Sequence, residues 1–229
     1  MQDEYDVVVV GAGNAALCAA LAANEAGASV VVLERAPKSE RGGNTAFTAG
    51  GMRFAYNGIG EILELCPELS QSDIESTDFG AYTEDDFYND MCRVTEYRTD
   101  PDLTDILVKR SFETLKWMRS KGVRFAPIYG RQAFKVDGKF KFWGGMTLET
   151  WGGGPGLVES LVAAAEAVDI EIAYGARALE LRRDTAARVT GVMVQIGGER
   201  RDINGRAVIL ACGGFEANPE WRTRYLGPG

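Results

Sequence analysis

The sequence predicts an α/β protein in which a parallel β-sheet, flanked by helices, continues into an antiparallel β-meander. Three observations predict this fold class. A strand–helix–strand pattern fills the first 34 residues, three short strand-like segments follow one another late in the chain, and a further apolar strand comes after them. The late strands are predicted at 177–183, 188–196 and 200–203, with the returning parallel strand at 206–211.

The N-terminal apolar run divides into two buried strands and a helix rich in small side chains. Gly27 is placed to end the helix in the left-handed conformation that glycine favours. Asn24 and Glu25 interrupt the apolar residues, so the run does not have the character of a membrane-spanning helix. The three elements are predicted at 5–10 (YDVVVV), 14–26 and 29–34 (SVVVLE).

The first turn of this unit, Gly11-Ala12-Gly13-Asn14-Ala15-Ala16, is a dinucleotide-binding fingerprint of the G-x-G-x-x-A type. Gly11 permits the tight turn, Gly13 lets the backbone approach a pyrophosphate, and Ala16 keeps the helix close to the sheet. The phosphates are expected at the positive end of the helix. Glu34 ends the second strand, where a carboxylate accepts hydrogen bonds from ribose hydroxyls. The unit therefore predicts a Rossmann-like dinucleotide site, with both NAD and FAD open as ligands.

A glycine-rich loop follows at 39–58, where an NAD-binding Rossmann domain would continue with another helix and strand. The loop contains the pairs Gly42-Gly43 and Gly50-Gly51. Its many backbone N–H groups and small side chains suit a pyrophosphate and a flat ring system. The loop favours FAD over NAD, although an ordinary flexible loop has a similar composition.

Two amphipathic helices are predicted in the middle of the chain, at 83–98 and 101–121. The first has an acidic first turn. The second has Asp100 as its N-cap, Pro101 at the first helical position and Gly122 after the last turn. Five apolar residues at helical spacing are expected to pack into the core: Leu103, Ile106, Leu107, Leu115 and Met118.

Alternating Phe and Lys residues in 134–155 allow two interpretations. They would suit a surface that stacks nucleic-acid bases, but Asp137-Gly138 is a strong turn dipeptide and favours a β-hairpin. A helix at 156–168 and a strand at 170–174 are predicted next, and Asn218-Pro219 opens a final helix.

Composition excludes several classes of function. The net charge of −8 disfavours nucleic acid and anionic membranes as partners. The chain has no histidine, so it cannot contain a Ser-His-Asp or Cys-His site. Its four cysteines form no CxxC pair, and Cys18 and Cys212 are expected in the core. The acidic start, MQDEYD, lacks the basic region of a secretion signal. A reducing, cytoplasmic location is the resulting expectation.

Together, the fingerprint, Glu34, the segment RGGNTAFTAGG (41–51) and the segment VILACGGFEANPEWRTRYLG (208–227) resemble the FAD-dependent fumarate reductase/succinate dehydrogenase flavoprotein family. The resemblance extends over essentially the whole chain. Cys212 departs from the family, which often has Thr at this position. Within the family, residues 13–45 are most similar to members that oxidise tricarballylate.

The resemblance implies non-covalently bound FAD and assigns its contacts. Gly11, Gly13, Asn14 and Ala15 would contact the pyrophosphate, and Glu34 and Arg35 the adenosine ribose. Ala176 and Ala178 would pass the adenine, while Ala211 and Gly213 would contribute backbone contacts. The pyrophosphate and isoalloxazine would be lined by Gly42, Gly43, Asn44, Thr45, Thr48, Ala49, Gly50 and Gly51.

The resemblance also implies an oxidoreductase that exchanges a hydride between flavin N5 and a small di- or tricarboxylate such as tricarballylate. There are two alternatives. The protein acts on fumarate and succinate or on ketosteroids, or the chain is a cofactor-binding module that is inactive on its own. A separate membrane-associated electron-transfer partner is implied as well. Residues 1–229 would form the N-terminal part of the FAD-binding domain, with a capping domain and a C-terminal flavin segment absent. The catalytic residues are expected in those absent segments.

Overall fold

The computed structural model describes residues 2–228, which divide into two compact units. The first unit contains the chain up to Phe47 and from Val162 onward, and the second contains Thr48–Leu161. Within residues 2–228, no helix combines the length and the apolar character that crossing a bilayer requires.

The described residues form both strands and helices, as predicted for an α/β protein. In chain order, the strands of the described residues are β1 (Glu4–Val10), β2 (Val30–Glu34), β3 (Gly51–Arg53), β4 (Thr77–Asp78), β5 (Phe125–Pro127), β6 (Ala133–Val136), β7 (Lys139–Phe142), β8 (Thr147–Thr150), β9 (Glu171–Tyr174), β10 (Arg177–Arg183), β11 (Val189–Ile196) and β12 (Glu199–Leu210). The α-helices are α1 (Asn14–Glu25), α2 (Ile59–Leu65), α3 (Gln71–Ser76), α4 (Glu84–Val94), α5 (Pro101–Ser120), α6 (Tyr129–Gln132), α7 (Gly153–Ala167) and α8 (Pro219–Leu226), with short 3₁₀ helices at Lys38–Glu40 and Gly43–Phe47.

The first unit is built on a six-stranded sheet with the order β10-β11-β12-β1-β2-β9. The four strands β12, β1, β2 and β9 run parallel, whereas β10, β11 and the first half of β12 form an antiparallel meander. The predicted fold class is therefore confirmed. Residues 8–10 of β1 and all of β2 are buried, which explains the Val-rich sequences of these two strands.

The two strands predicted at 200–203 and 206–211 are a single strand, β12. Its first half pairs with β11 and its second half pairs with β1, with Asn204 bonded to both neighbours. Gly205 does not interrupt it, because this glycine packs directly against Val8, whose Cγ2 would lie 2.7 Å from an added Cβ. The glycine thus allows Val8 of β1 to lie close to the backbone of β12, and it does not end the strand.

The predicted strand–helix–strand unit is confirmed with small changes at its boundaries. Helix α1 ends at Glu25, and Gly27 follows with φ +84°. The amide of Ala28 donates to the Ala23 carbonyl at 3.1 Å, which completes the helix end. Ala16 is fully buried, as expected for a residue that lets the helix lie close to the sheet.

The second unit contains two small sheets, β3-β8-β5 and β4-β7-β6. The predicted hairpin is confirmed, since β6 and β7 pair antiparallel around Asp137 (φ +51°) and Gly138 (φ +84°). Both residues have the positive φ that a tight type I′ turn requires.

Helices α4 and α5 correct two expectations. α4 ends at Val94 and not at 98, because Glu96 and Tyr97 adopt positive φ and leave the helical region.

The N-cap of α5 is confirmed, with the Asp100 carboxylate accepting from the Asp102 and Leu103 amides at 3.0 Å. The predicted core stripe of α5 is only partly right. Leu115 and Met118 are buried, but Leu103, Ile106 and Leu107 are exposed, and the buried face continues instead through Thr104, Val108 and Ser111.

Four further expectations concern the later part of the chain, and a fifth concerns Cys18 in α1. Helix α7 begins three residues earlier than predicted, at Gly153, whereas β9 and the N-cap of α8 at Asn218 are confirmed. Cys212 is exposed and not part of the core, because the chain leaves the sheet after Leu210. Cys18 is partly buried, and burial raises the pKa of its thiol to about 11.

Candidate cofactor-binding site

The turn after β1 requires glycine at its first position. The Gly11 amide donates to the Leu33 carbonyl at 2.8 Å, and its φ is +106°. A Cβ at this position would lie 2.5 Å from the Ala211 carbonyl oxygen. The ends of β1 and β12 therefore approach so closely at this edge of the sheet that no side chain fits between them.

Helix α1 begins at this edge, and its N-cap residue provides no side-chain hydrogen bond. Its N-cap is Gly13, whose extended backbone any residue could adopt. A Cβ on Gly13 would meet Thr45 Oγ1 at 3.1 Å, so glycine leaves an open approach to the helix end. The Asn14 amide donates to Thr45 Oγ1 at 3.0 Å. The first turn also lacks acidic residues, which makes the helix end suitable for a phosphate.

Glu34 lies at the end of β2 beside this turn and is 8% exposed. Its Oε2 accepts the Ala12 amide at 2.9 Å, and its Oε1 accepts the Ala36 amide at 2.8 Å. Each oxygen has a second lone pair that can accept a ligand hydroxyl. Glu34 therefore fixes the turn and remains suited to the ribose. Arg35, the next residue, is exposed.

The first glycine pair and its neighbours form a compact loop next to the helix start. The Thr45 amide donates to the Gly42 carbonyl at 3.1 Å, and a 3₁₀ helix covers Gly43–Phe47. Asn44 donates from its side-chain amide to Glu216 Oε2 at 2.8 Å. The loop is thus joined to α1 through Thr45 and to the segment after β12 through Asn44.

Two buried polar atoms near this loop have no hydrogen-bond partner within residues 2–228. They are Arg41 Nε and Tyr174 Oη. Tyr174 pairs with Glu34 in the β2–β9 register, and burial raises its pKa. Unsatisfied buried polar groups are uncommon and point to a missing water or ligand contact. Tyr174 was not among the predicted site residues, and Arg41 was noted only as the first residue of the segment RGGNTAFTAGG.

The remaining residues of the first unit that were predicted to contact the cofactor lie at or near the ends of strands. The Ala176 amide donates to the Glu34 carbonyl at 2.8 Å, and the side chains of Ala176 and Ala178 pack against the apolar core of the sheet. Only their backbone is therefore suited to contact an adenine. The Ala211 amide donates to the Val10 carbonyl at 2.9 Å, and Gly213 is exposed with φ +72°.

The other four predicted residues, Thr48, Ala49, Gly50 and Gly51, belong to the second unit. A Cβ on Gly50 (φ +66°) would lie 2.0 Å from Thr150 Oγ1, so only glycine fits. The Thr48 carbonyl accepts the Gly154 amide at 2.8 Å, and Gly51 opens β3. These contacts fix the second glycine pair against the start of α7.

The structure thus brings the fingerprint, Glu34, the first glycine pair and the strand-end residues together at one edge of the parallel sheet. This edge is formed by the carboxyl ends of the parallel strands, and in open α/β folds ligands bind there. Sequence reasoning missed Ala36 and Glu216 as partners of predicted residues. Glu216 directly follows the Gly-Gly-Phe motif, a signal that could have drawn attention to it.

Comparison with known proteins agrees with this geometry. The FAD binding domain family matches residues 6–229, so the chain belongs to that family, among the flavoproteins of fumarate reductases and succinate dehydrogenases. FAD is accordingly its cofactor.

Two curated relatives and one solved structure illustrate the similarity. Fumarate reductase (cytochrome) of Shewanella frigidimarina is 29% identical over 99% of this chain and 36% of its own length. Urocanate reductase of Eggerthella lenta is 30% identical over 97% of this chain and 34% of its own length. The open form of a flavocytochrome c3 fumarate reductase has a TM-score of 0.73, with 26% identity, over 98% of this chain and 36% of that chain. The chain spans about a third of the length of these relatives.

The residues present fit FAD. Gly13 has no side chain and leaves room at the start of α1 for a pyrophosphate, and the buried Glu34 carboxylate is bonded to the adjacent turn, where it can accept from a ribose. Bound FAD supplies reversible hydride acceptance, chemistry that no side chain provides.

Proposed function

We propose that the intact protein is a flavin-dependent oxidoreductase that acts on a small di- or tricarboxylate, and that these residues form the N-terminal part of its FAD-binding domain. The observation that carries the proposal is the start of α1, where the N-cap Gly13 has no side chain and the Glu34 carboxylate at the end of β2 is bonded to the preceding turn. This arrangement offers backbone donors to a pyrophosphate and an acceptor to a ribose at one edge of the sheet.

The residues of this chain bind and orient the cofactor. Gly11, Gly13, Asn14 and Ala15 contact the pyrophosphate, Glu34 and Arg35 the ribose, and the backbone at Ala176 and Ala178 the adenine. The loops containing the two glycine pairs line the pyrophosphate and the isoalloxazine, together with Ala211 and Gly213. Because the chain has no histidine, it offers no histidyl link to the flavin, and binding is non-covalent.

Substrate choice belongs to the whole protein. Two relatives carry the names fumarate reductase and urocanate reductase, and both names denote reduction of an unsaturated carboxylate. We propose tricarballylate as the representative substrate, since residues 13–45 are similar to tricarballylate-oxidising proteins. The groups that hold substrate carboxylates and move protons lie in a capping domain and a C-terminal flavin segment outside these residues. A membrane-associated electron-transfer partner and a cytoplasmic location complete the proposal.

An absorbance spectrum of the purified 229-residue chain tests the cofactor site. After incubation with FAD and gel filtration, flavin bands near ~450 nm should elute with the protein. Uptake of NAD instead of FAD would overturn the proposal. A colourless chain that takes up neither nucleotide would show that binding needs residues outside the 229.

The substrate is tested on the longest natural polypeptide that contains this chain. Tricarballylate, succinate and a 3-ketosteroid are offered as hydride donors with an artificial electron acceptor, and fumarate and urocanate as hydride acceptors with a reduced viologen dye. Turnover with a polycarboxylate supports the proposal. Turnover with the ketosteroid alone would contradict the substrate class while leaving the cofactor assignment intact.

A further inference from the structure

The segment that follows β12 reaches back to the first glycine-rich loop through one side chain. Glu216 Oε2 accepts the hydrogen bond from Asn44 Nδ2 at 2.8 Å. Both residues are exposed. The contact joins two segments far apart in sequence, both of them predicted to line the flavin site.

Gly214 provides the space that this contact needs. A Cβ on Gly214 would lie 2.3 Å from Glu216 Oε1, 2.7 Å from Oε2 and 2.8 Å from the carboxyl carbon. The Glu216 side chain is therefore folded back across the glycine. Gly214 has no positive φ, so its backbone does not itself require glycine. What requires glycine here is the position of the carboxylate.

We propose that Glu216 is a positioning residue that holds Asn44, and through it the loop Gly42–Thr45, in the arrangement that receives FAD. The inference rests on the proposed cofactor site. A hydrogen bond to a carboxylate is stronger than one between neutral groups. The loop is otherwise attached to α1 by the Thr45 hydroxyl, which accepts the Asn14 amide. Glu216 supplies a further attachment through Asn44, which limits the conformational freedom of the loop before the cofactor binds.

Five variants separate this contact from general effects of substitution. Glu216→Ala removes the acceptor, and Glu216→Gln keeps an acceptor but removes the charge. Gly214→Ala displaces the carboxylate without changing Glu216 itself. In the double variant Gly214→Ala/Glu216→Ala, the added methyl group meets no carboxylate, so this variant should match Glu216→Ala alone. Glu220→Ala, an exposed acid in the first turn of α8, controls for loss of negative charge.

Hydrogen exchange at the amides of 43–47 in the cofactor-free chain is the first measurement, since it does not depend on FAD retention. Glu216→Ala and Gly214→Ala should each speed exchange roughly three- to tenfold, the worth of one hydrogen bond at an exposed site. Glu216→Gln keeps an acceptor but loses the charge, so its exchange rate should lie between those of Glu216→Ala and the parent, whereas Glu220→Ala should remain near the parent rate. The FAD dissociation constant, measured by flavin fluorescence, should rise by a similar factor in Glu216→Ala, in Gly214→Ala and in the double variant, and should not change in Glu220→Ala.

The outcomes distinguish this inference from the proposed function. If the parent chain binds FAD while Glu216→Ala and Gly214→Ala leave both exchange and affinity unchanged, the positioning role is wrong and the cofactor site stands. If the two substitutions add in the double variant, Gly214 acts independently of Glu216, which also overturns the inference.

Discussion

The Glu34 carboxylate accepts the amide hydrogen of Ala12 at 2.9 Å, so the acid at the end of β2 is bonded to the turn that follows β1. The same carboxylate accepts the Ala36 amide through its other oxygen. Glu34 therefore holds the fingerprint turn in place before any ligand binds, in addition to the ribose contact proposed for it.

Replacing Glu34 by Gln should lower both stability and cofactor affinity. The glutamine NH₂ group would face one of the two backbone donors, because each carboxylate oxygen accepts one of them. We expect the free energy of unfolding to fall by about 1–3 kcal/mol, the cost of an unsatisfied buried donor. Urea denaturation measures this change, and a FAD titration should show weaker binding.

Glu40→Gln is the matched control for this prediction, since Glu40 is an exposed acid in the same part of the chain. It should change the unfolding free energy by less than about 0.5 kcal/mol. Equal stability of Glu34→Gln and Glu40→Gln would show that the two backbone contacts of Glu34 contribute nothing.

The two glycines of the fingerprint should respond differently to alanine. Gly11→Ala places a Cβ 2.5 Å from a backbone carbonyl at φ +106°, so we expect a loss of about 2–4 kcal/mol in stability. Gly13→Ala meets only the Thr45 hydroxyl and the Gly42 carbonyl, at 3.1 and 3.4 Å. It should preserve the fold and weaken FAD binding, because the methyl group narrows the approach to the helix start.

Thermal unfolding and FAD titration of both variants check this contrast. Gly60→Ala serves as the reference, since it lies inside α2 and an added Cβ meets nothing within 4 Å. That variant should gain up to about 1 kcal/mol, as Ala favours the helix. A Gly13→Ala variant with undiminished FAD affinity would argue against pyrophosphate binding at the start of α1.

Tyr82 should make stability depend on pH in the alkaline range. Burial, assisted by the hydrogen bond from its hydroxyl to Asp90 Oδ2 at 2.9 Å, raises its pKa from 10.0 to about 12. A phenol whose pKa is raised by folding contributes stability below pH 10.0, and that contribution is lost as pH rises towards 12.

The comparison with Tyr82→Phe isolates this effect from other tyrosines. Urea denaturation across the alkaline range should show the parent losing stability relative to the variant, because phenylalanine does not ionise. Parallel curves for the two proteins would mean that Tyr82 titrates normally.

The corrected face of α5 gives a matched pair of substitutions. Leu115 is 4% exposed and Leu107 is 47% exposed on the same helix. Leu115→Ala should cost about 2–5 kcal/mol through lost burial and cavity formation. Leu107→Ala should cost less than about 1 kcal/mol. Thermal unfolding measures both losses of stability. Similar values for the two variants would indicate that the Leu107 side chain is buried in solution.

The fingerprint unit was predictable because its signals are local. Valine runs, the spacing of Gly11 and Gly13, and the helix end at Gly27 each act within a few residues. The hairpin at Asp137-Gly138 was predictable for the same reason.

Other features depend on contacts between distant segments. The stripe of α5 was misassigned because two apolar faces have helical spacing, and only packing decides that Val108, and not Leu107, is buried. The continuity of β12 through Gly205 depends on Val8 of another strand. The pairing of Asn44 with Glu216 likewise joins residues that no local pattern connects.

The position of β1 between β2 and β12 also constrains how the protein is made. Val10 pairs with Leu33 on one side and with Leu210 on the other, so one of the two strands beside β1 is synthesised only after residues 48–161. Until β12 has left the ribosome, β1 presents an unpaired, valine-rich edge of the kind that recruits other chains. The entire second unit is translated during that interval. A nascent chain stopped before β12 should therefore need chaperone protection, and cofactor loading should follow, not accompany, synthesis of this domain.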